Sequence, residues 1–227
     1  MDTIANYTLL KDHALEFGAV AFGVCDVREE KKGFALAPEI LEGLDYAVAF
    51  AVGLSPKILA DIVDHPTRLY FHHYKQANAL IDSIAMRLTA LIQKEGFSAL
   101  PIPASQIVDW EKQTGHLSHK HIAQKAGIGW IGRSNIIVNR KQGAYIRLGT
   151  ILTDMPLSVD TASAFGCGEC RACIAPCPAG AIKESPADFD HQGCFEKLKY
   201  FQKQRYVDQF ICGICVKACR GKKGEAF

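Results

Sequence analysis

Four cysteines in the C-terminal third of the chain have the spacing of a ligand loop for iron. They are Cys167, Cys170, Cys173 and Cys177, which read C-x2-C-x2-C-x3-C with Pro178 directly after them. This is the bacterial ferredoxin pattern, in which three thiolates bind one cubane cluster and the fourth binds the second cluster of a pair. The spacing therefore predicts a loop that holds a [4Fe-4S] cluster.

A second set of cysteines completes the ligands for two clusters. It consists of Cys194, Cys212, Cys215 and Cys219. If the two sets interleave as they do in two-cluster ferredoxins, one cluster is held by Cys167, Cys170, Cys173 and Cys219. The other cluster is then held by Cys177, Cys194, Cys212 and Cys215.

Zinc and disulfides are the alternatives for these cysteines. Zinc accepts C-x2-C pairs, but four ligands saturate it, so a third cysteine three residues further on adds nothing. Disulfides are typical of small secreted domains, whereas this chain has 227 residues, nine cysteines and no secretory hydrophobic region at its start. We therefore favour iron–sulfur ligation over zinc, and zinc over disulfides. The ninth cysteine, Cys25, adjoins an apolar run and is predicted to be a small buried hydrophobe.

The composition fits a cytoplasmic protein with one substantial core and a small module. Hydrophobic residues make up 48% of the chain, and no stretch approaches the roughly 18 apolar residues of a membrane span. Export leaders are not recognised in residues 1–21, so we predict a cytoplasmic location and no membrane partner. The net charge is only +2, but residues 194–227 hold eight Lys or Arg against three acids. This basic segment could bind an acidic electron donor or a nucleic acid, or it could form a solvated surface around anionic clusters.

Hydrophobic periodicity predicts an α/β (α+β) domain over residues 1–157 and a small cluster domain over residues 158–227. The predicted helices are Thr3–Phe17, Thr67–Glu95 and Leu117–Ala126. The predicted strands are Ala19–Val24, Tyr46–Val52, Asn135–Val138 and Ala144–Thr153. Pro101 and Pro103 predict a loop between the long helix and the helix that follows it.

A glycine-rich turn follows the last of these helices. Gly127, Gly129 and Gly132 satisfy G-x-G-x-x-G. A dinucleotide site requires a strand before this motif and a helix after it, and here the order is reversed. The glycines instead indicate a backbone that passes close to something flat or bulky, or close packing of chain on chain.

The turn belongs to a longer resemblance. Residues 126–133 read AGIGWIGR, and the similarity continues through Asn139, Arg140, Gly143 and residues 148–154, LGTILTD. With the cysteine motif after it, this segment resembles the core of epoxyqueuosine reductases, cytoplasmic relatives of the reductive dehalogenases. The resemblance extends from the N-terminal helix to Cys219.

The resemblance implies a fold, cofactors and site residues. It implies a nitroreductase-like cobalamin-binding domain followed by a dicluster ferredoxin-like domain. The residues that would line the corrin are Gly127, Gly129, Trp130, Gly132, Arg133, Ser134 and Asn135. Val108-Asp109 matches the family's Val-Asp element, which makes Asp109 the candidate proton donor. A carboxylic acid beside an apolar macrocycle is expected to have a raised pKa, as a general acid at neutral pH requires.

The chain also departs from the family's pattern. Arg133-Ser134 replaces the usual Lys-His, and the segment after Asp109 carries His116, His119 and His121. These histidines are predicted to form a polar helix face near the pocket, with a metal site as the alternative. The family's helical-repeat domain, which helps to engage tRNA, has no counterpart after the cysteines. The sequence thus reads as a short form, which disfavours a tRNA substrate.

Two function classes follow from these features. The first is a cobalamin- and iron–sulfur-dependent reductase, in which two [4Fe-4S] clusters pass electrons to a corrinoid that reduces a small-molecule or nucleoside substrate. Its expected electron donor is a low-potential ferredoxin or flavodoxin. The second is a non-catalytic dicluster electron carrier or activator for a corrinoid or flavin partner. A flavin in place of cobalamin is a third alternative.

Overall fold

The computed structural model describes residues 2–221 and has a mixed α/β fold. Its α-helices are α1 Thr3–Glu16, α2 Pro38–Leu41, α3 Pro56–Ala60, α4 Arg68–Lys94, α5 His119–Lys125, α6 His191–Lys203 and α7 Ile214–Ala218. Its strands are β1 Ala19–Asp26, β2 Tyr46–Gly53, β3 Ala99–Ile102, β4 Trp130–Ile131, β5 Ile137–Val138 and β6 Ile146–Thr153. Two short 3-10 helices span Glu30–Gly33 and Pro186–Asp188. The last basic residues of the C-terminal segment, Lys222 and Lys223, lie outside the described residues.

The chain divides into two compact units, each assembled from three segments. The first unit comprises residues 1–52, 78–128 and 147–163. The second comprises residues 53–77, 129–146 and 164–227. These units are divided by packing, and the predicted boundary between domains at residues 157 and 158 stays a prediction.

The first unit is built on a four-stranded sheet with the order β1-β2-β6-β3. The β1–β2 and β3–β6 pairs are antiparallel. Residues 47–52 of β2 are buried throughout, as the continuous apolar run predicts. Gly149 of β6 leaves room for the Phe50 ring, since a Cβ there would lie 2.3 Å from the ring's Cζ atom. The sheet therefore has a dense aromatic and aliphatic core.

Helix α4 shows the apolar stripe that its sequence predicts. In the part that belongs to the first unit, Ile81, Ile84, Leu88 and Ile92 are almost completely buried, and they recur at steps of three and four residues. Gly96, with φ +87°, follows the helix and reverses the chain.

The loop predicted at Pro101 is wrong, because residues Ala99–Ile102 form β3. Pro101 lies opposite Ile151 of β6. A proline cannot donate to a sheet from its nitrogen, so it is tolerated where one side of the strand has no partner. β3 is the last strand of its sheet and meets this condition.

The second unit contains a two-stranded sheet, β4–β5, and the helices α6 and α7. Trp130 lies opposite Val138, and Ile131 opposite Ile137. Most of the cysteine-bearing segment lacks regular secondary structure and is folded by turns. One of these turns is closed by a hydrogen bond from the Cys170 N–H to the Cys167 carbonyl.

Within residues 2–221, no helix has the length and hydrophobicity needed to cross a membrane.

Candidate functional site

The structure brings the first group of cysteines together around a small cavity in the second unit. The cavity has a volume of about 30 Å³. Its lining includes Cys167, Cys170, Cys173 and Cys219. The backbone at residues 143 and 144 positions Cys219, because the Ala144 N–H donates to the Cys219 carbonyl at 2.9 Å. Gly143 has φ +61°, and a Cβ there would lie 2.3 Å from that carbonyl, so only glycine permits this approach.

The thiols of this group perturb one another. Burial raises the pKa of Cys173 to about 11, and the neighbouring thiols of Cys219, Cys167 and Cys170 add to the shift. Burial likewise raises the pKa of Cys219, with contributions from Cys167 and Cys170. Several thiolates without a cation between them would repel one another, which adds to the effect of burial on Cys173 and Cys219.

The second group is positioned mainly by helices. Cys194 lies in the first turn of α6, where the Asp190 side chain caps the helix by accepting from the Gly193 N–H at 2.8 Å. Cys212 and Cys215 lie on either side of Gly213, which has φ +84° and begins α7.

The causes of the pKa shifts show which cysteines of the second group lie close to one another. Burial raises the pKa of Cys212 to about 11, and Cys194 and Cys177 add to the shift. Burial also raises the pKa of Cys215, with added repulsion from Cys212, Cys194 and Cys177 and a last, smallest contribution from Cys173. The thiols that perturb Cys215 are mainly those of its own predicted ligand set, and the two ligand sets stay predictions.

This donor set fits two iron–sulfur clusters chemically. The cysteines of the first group line one cavity, and Cys177, Cys194 and Cys212 lie close enough to Cys215 to raise its pKa. Cationic iron would relieve the repulsion between neighbouring thiolates. Within residues 2–221, no three His, Cys, Asp or Glu side chains are arranged to share a single metal ion. This is compatible with cubane ligation, because each thiolate of a cubane binds a different iron and the ligands lie further apart than around one zinc.

Trp130 of β4 contacts the first cysteine group directly. Its indole Nε1 donates to the Cys167 Sγ at 3.2 Å. The indole face lies against Gly166, where a Cβ would come within 2.9 Å of the ring. Trp130 was predicted to line a corrin, and the structure places its N–H on a cysteine; the corrin contact stays a prediction.

Arg133 holds the loop that carries Cys167 and Cys170. The guanidinium is buried and donates to three backbone carbonyls, those of Glu184 at 2.6 Å, Cys170 at 2.8 Å and Gly168 at 2.8 Å. Arg133 thus acts in this structure as a clamp on the cysteine loop. Its predicted contact with a corrin stays a prediction, as do those of Ser134, which is buried, and Asn135, which has φ +57°.

The glycines of the turn allow close packing of protein on protein. A Cβ at Gly127 would lie 2.8 Å from the Thr161 carbonyl, and one at Gly129 would lie 2.2 Å from the Val138 carbonyl. A Cβ at Gly132 would lie 3.4 Å from the Cys167 Sγ. These contacts match the chain-packing alternative, and the predicted corrin lining by the three glycines stays a prediction.

The expected raised pKa of Asp109 is not found, and the pKa is lowered. Its carboxylate accepts from the backbone N–H groups of Glu111 at 3.0 Å and Lys112 at 2.9 Å, and the Lys112 ammonium lies 3.7 Å away. The Lys112 N–H is the largest cause, because these donors favour the charged form. In this conformation Asp109 is a half-exposed carboxylate, and its role as proton donor stays a prediction.

The three histidines after Asp109 are separately engaged. His119 pairs with the Thr150 hydroxyl at 2.8 Å and the Pro103 carbonyl at 3.3 Å, and burial lowers its pKa. His116 contacts the Ala35 carbonyl through Nδ1 at 3.0 Å. Burial lowers the pKa of His121, and the nearby Lys120 lowers it further. The three histidine side chains therefore lie in three different environments of the first unit.

Sequence reasoning missed a cavity of about 470 Å³ in the first unit. His121, Ser118 and Gln124 line it together with the ion-paired Lys125 and Glu30. Gly33, Phe34, Ile122 and Ala162 complete its wall. This volume is typical of small-molecule sites. Among the residues singled out in the sequence, only His121 could have drawn attention to it, because residues 30–34 approach α5 through tertiary packing.

Curated relatives of the chain are epoxyqueuosine reductases. The protein from Pseudomonas aeruginosa is 33% identical over 141 residues, which are 62% of this chain and 38% of that relative. The protein from Escherichia coli is 46% identical over 77 residues, 34% of this chain and 20% of the relative. No protein-family model matches the chain. The chain thus spans well under half the length of these relatives.

Solved structures share the fold. A catabolic reductive dehalogenase in complex with 3-bromo-4-hydroxybenzoic acid has a TM-score of 0.74 at 21% identity, over 96% of this chain and 32% of that one. An epoxyqueuosine reductase from Bacillus subtilis, with its aspartate catalytic loop swung out of the active site, has a TM-score of 0.64 at 18% identity, over 98% of this chain and 67% of that one.

The comparisons confirm two predictions. The sequence resemblance to epoxyqueuosine reductases is confirmed by relatives with 33% and 46% identity. The predicted fold class is confirmed by the mixed α/β structure and by its likeness to reductive dehalogenases and epoxyqueuosine reductases over nearly the whole chain.

Proposed function

We propose that the chain is the redox core of a reductase of the epoxyqueuosine reductase and reductive dehalogenase type. Two [4Fe-4S] clusters would be held by the two cysteine groups, and residues 1–157 would bind a corrinoid. The clusters supply one-electron transfer and the corrinoid supplies the reducing chemistry. The observation that carries the proposal is the cavity lined by Cys167, Cys170, Cys173 and Cys219, together with the proximity of Cys177, Cys194 and Cys212 to Cys215.

The chain's own residues supply the remaining parts of this function. Trp130 and Arg133 fix the first cysteine loop, while the helices α6 and α7 fix the second group. The cavity beside His121 has the size for a small-molecule substrate. The relatives' name supports a reductase, and a related epoxyqueuosine reductase has been solved with a tRNA-Tyr stem loop. A low-potential ferredoxin or flavodoxin in the cytoplasm remains the proposed donor.

Asp109 is the proposed proton donor, and it would need a different environment from the one it has here. Its lowered pKa depends on the backbone N–H groups of Glu111 and Lys112, which belong to the same exposed loop. The Bacillus subtilis relative shows such a loop outside its active site. We propose that closure of the loop opens this turn and so separates the Asp109 carboxylate from these donors and from water, which would raise the pKa of Asp109.

Anaerobic purification with cobalamin supplied during expression tests the proposal. We expect about eight irons per chain and a retained corrinoid spectrum. Eight irons without a retained corrinoid would indicate the electron-carrier alternative. Absence of iron would contradict the proposal. Turnover assays with a small halogenated or epoxide substrate and with an epoxyqueuosine-containing stem loop would then separate the substrate classes.

Asp109→Asn tests the proton-donor role. The substitution should leave the corrinoid and cluster spectra unchanged and slow turnover by about two orders of magnitude, the scale of lost general acid catalysis. Glu111→Gln is the matched control, because Glu111 lies in the same loop and is exposed. Full activity of Asp109→Asn would exclude the role.

A further inference from the structure

We propose that Trp130 tunes the reduction potential of the cluster bound by the first cysteine group and leaves the second cluster unaffected. The inference rests on the proposed function, since it requires that the cysteines bind clusters. Trp130 acts through Cys167, a ligand of the first cluster in this proposal, and is therefore a positioning and tuning residue.

The indole N–H has a defined partner. Trp130 is only 7% exposed, and its Nε1 lies 3.2 Å from the Cys167 Sγ. An indole nitrogen can only donate, and a buried donor without a partner destabilises the fold. The sulfur of Cys167 satisfies this donor in the described structure. Because a thiolate ligand carries negative charge, the hydrogen bond would be charge-assisted once iron is bound.

The surrounding backbone holds the indole in this orientation. On one side Gly166 lies flat against the ring, at a distance that excludes any Cβ. The strand pairing of Trp130 with Val138 fixes the main chain, and Gly129 allows that approach because its Cβ position is filled by the Val138 carbonyl. The Gly166 contact therefore restrains the ring and the Gly129 contact fixes the main chain that carries it, with the N–H directed at Cys167.

A hydrogen bond to a ligand sulfur changes the potential in a known direction. Reduction adds one electron to the cluster and makes its sulfurs more negative. A donor therefore stabilises the reduced form more than the oxidised form, which raises the potential. Removing the donor should make the cluster harder to reduce.

Backbone N–H groups donate to both cysteine groups, that of Ile214 to Cys212 and that of Gly221 to Cys219. The indole N–H of Trp130 is an additional, side-chain donor to the first group. A backbone donor survives side-chain substitution, whereas the indole N–H does not. The second cluster therefore serves as an internal reference for any change made at Trp130.

Trp130→Phe in the full chain with reconstituted clusters tests the inference. The potentials of both clusters would be measured by EPR-monitored titration with titanium(III) citrate as the electron source. We expect the equilibrium constant for reduction of one cluster to fall by roughly tenfold, which corresponds to about 59 mV for one electron. The second cluster and the iron content should not change. Trp110→Phe is the matched control, since Trp110 is the other tryptophan and is 60% exposed.

Four outcomes would overturn the inference. The first is an unchanged pair of potentials with full iron content in Trp130→Phe, and the second is an equal shift in both clusters. The third applies if the Trp130→Phe variant loses its first cluster. Wild-type protein with 15N-labelled tryptophan would then be studied by pulsed EPR. Absence of 15N coupling to the reduced first cluster would contradict the hydrogen bond. The fourth, wild-type protein without iron, would remove the proposed function itself, which distinguishes the two failures.

Discussion

The two cysteine groups use the same ligand type but are positioned in different ways. In the first group the cysteine loop is irregular, and the buried Arg133 clamps it through the carbonyls of Gly168 and Cys170. In the second group Cys194 and Cys215 lie in helices α6 and α7. An irregular loop held by a buried arginine thus carries Cys167 and Cys170 of the first group, whereas helices carry Cys194 and Cys215 of the second.

The anchoring of α7 illustrates the second arrangement. The Lys217 ammonium donates to the carbonyls of Ala60, at 3.3 Å, and Ile62, and the Tyr145 hydroxyl donates to the Lys217 carbonyl at 2.8 Å. Gly213 packs against the Tyr70 ring, where a Cβ would lie 2.6 Å from a ring carbon. Changes in the second group should therefore disturb the fold of its unit, and changes in the first should remain local.

Cys215→Ser should have the largest effect. It removes one ligand and places a polar hydroxyl at a desolvated position, so ligation is lost and the hydroxyl loses its contact with water. We expect the loss of about four irons and a marked fall in the thermal unfolding temperature of the holoprotein. Iron analysis and calorimetry under anaerobic conditions measure the two quantities.

Cys170→Ser sharpens the comparison, because Cys170 is exposed. It should also remove about four irons, but with a smaller loss of thermal stability than Cys215→Ser. Equal destabilisation by both variants would contradict the difference between the two groups. Unchanged iron in either variant would contradict the ligand assignment.

Arg133→Ala should destabilise the first group alone. Three carbonyls lose a charged donor, and we expect a loss of about 3 kcal/mol in the free energy of unfolding. Arg133→Lys should recover only part of it, since an ammonium cannot reproduce the planar fork of donors. EPR of the second cluster should stay as in the wild type, and a change there would show that the clamp acts on both groups.

Gly166→Ala should have the smallest of these effects. Its Cβ would press on the Trp130 indole at 2.9 to 3.0 Å, so we expect a loss of about 1–3 kcal/mol from overpacking. Gly33→Ala is the control, because nothing lies within 4 Å of a Cβ at that position. Chemical denaturation compares the two variants, and equal stability would contradict the tight contact.

The sequence predicted features that depend on local spacing. The long helix and the buried strand β2 follow from periodicity, and helix α4 was placed within one residue at each end. The burial of Cys25, at 2% exposure, was also predicted correctly.

Features that depend on tertiary neighbours could not be predicted. The strand at Pro101 exists because it lies at the edge of a sheet, a position that the sequence does not encode locally. The lowered pKa of Asp109 depends on two N–H groups of its own loop. The contact of Trp130 with Cys167 joins residues that are separated by 37 positions. The same glycine turn that suggested a cofactor surface therefore packs against protein.

Iron and acid-labile sulfide analysis of anaerobically purified protein tests the central claim most directly. Two cubanes require about eight irons and about eight sulfides per chain, with no stoichiometric zinc. Zinc in place of iron, or about four irons in the wild-type protein, would contradict the two-cluster assignment on which the proposed reductase depends.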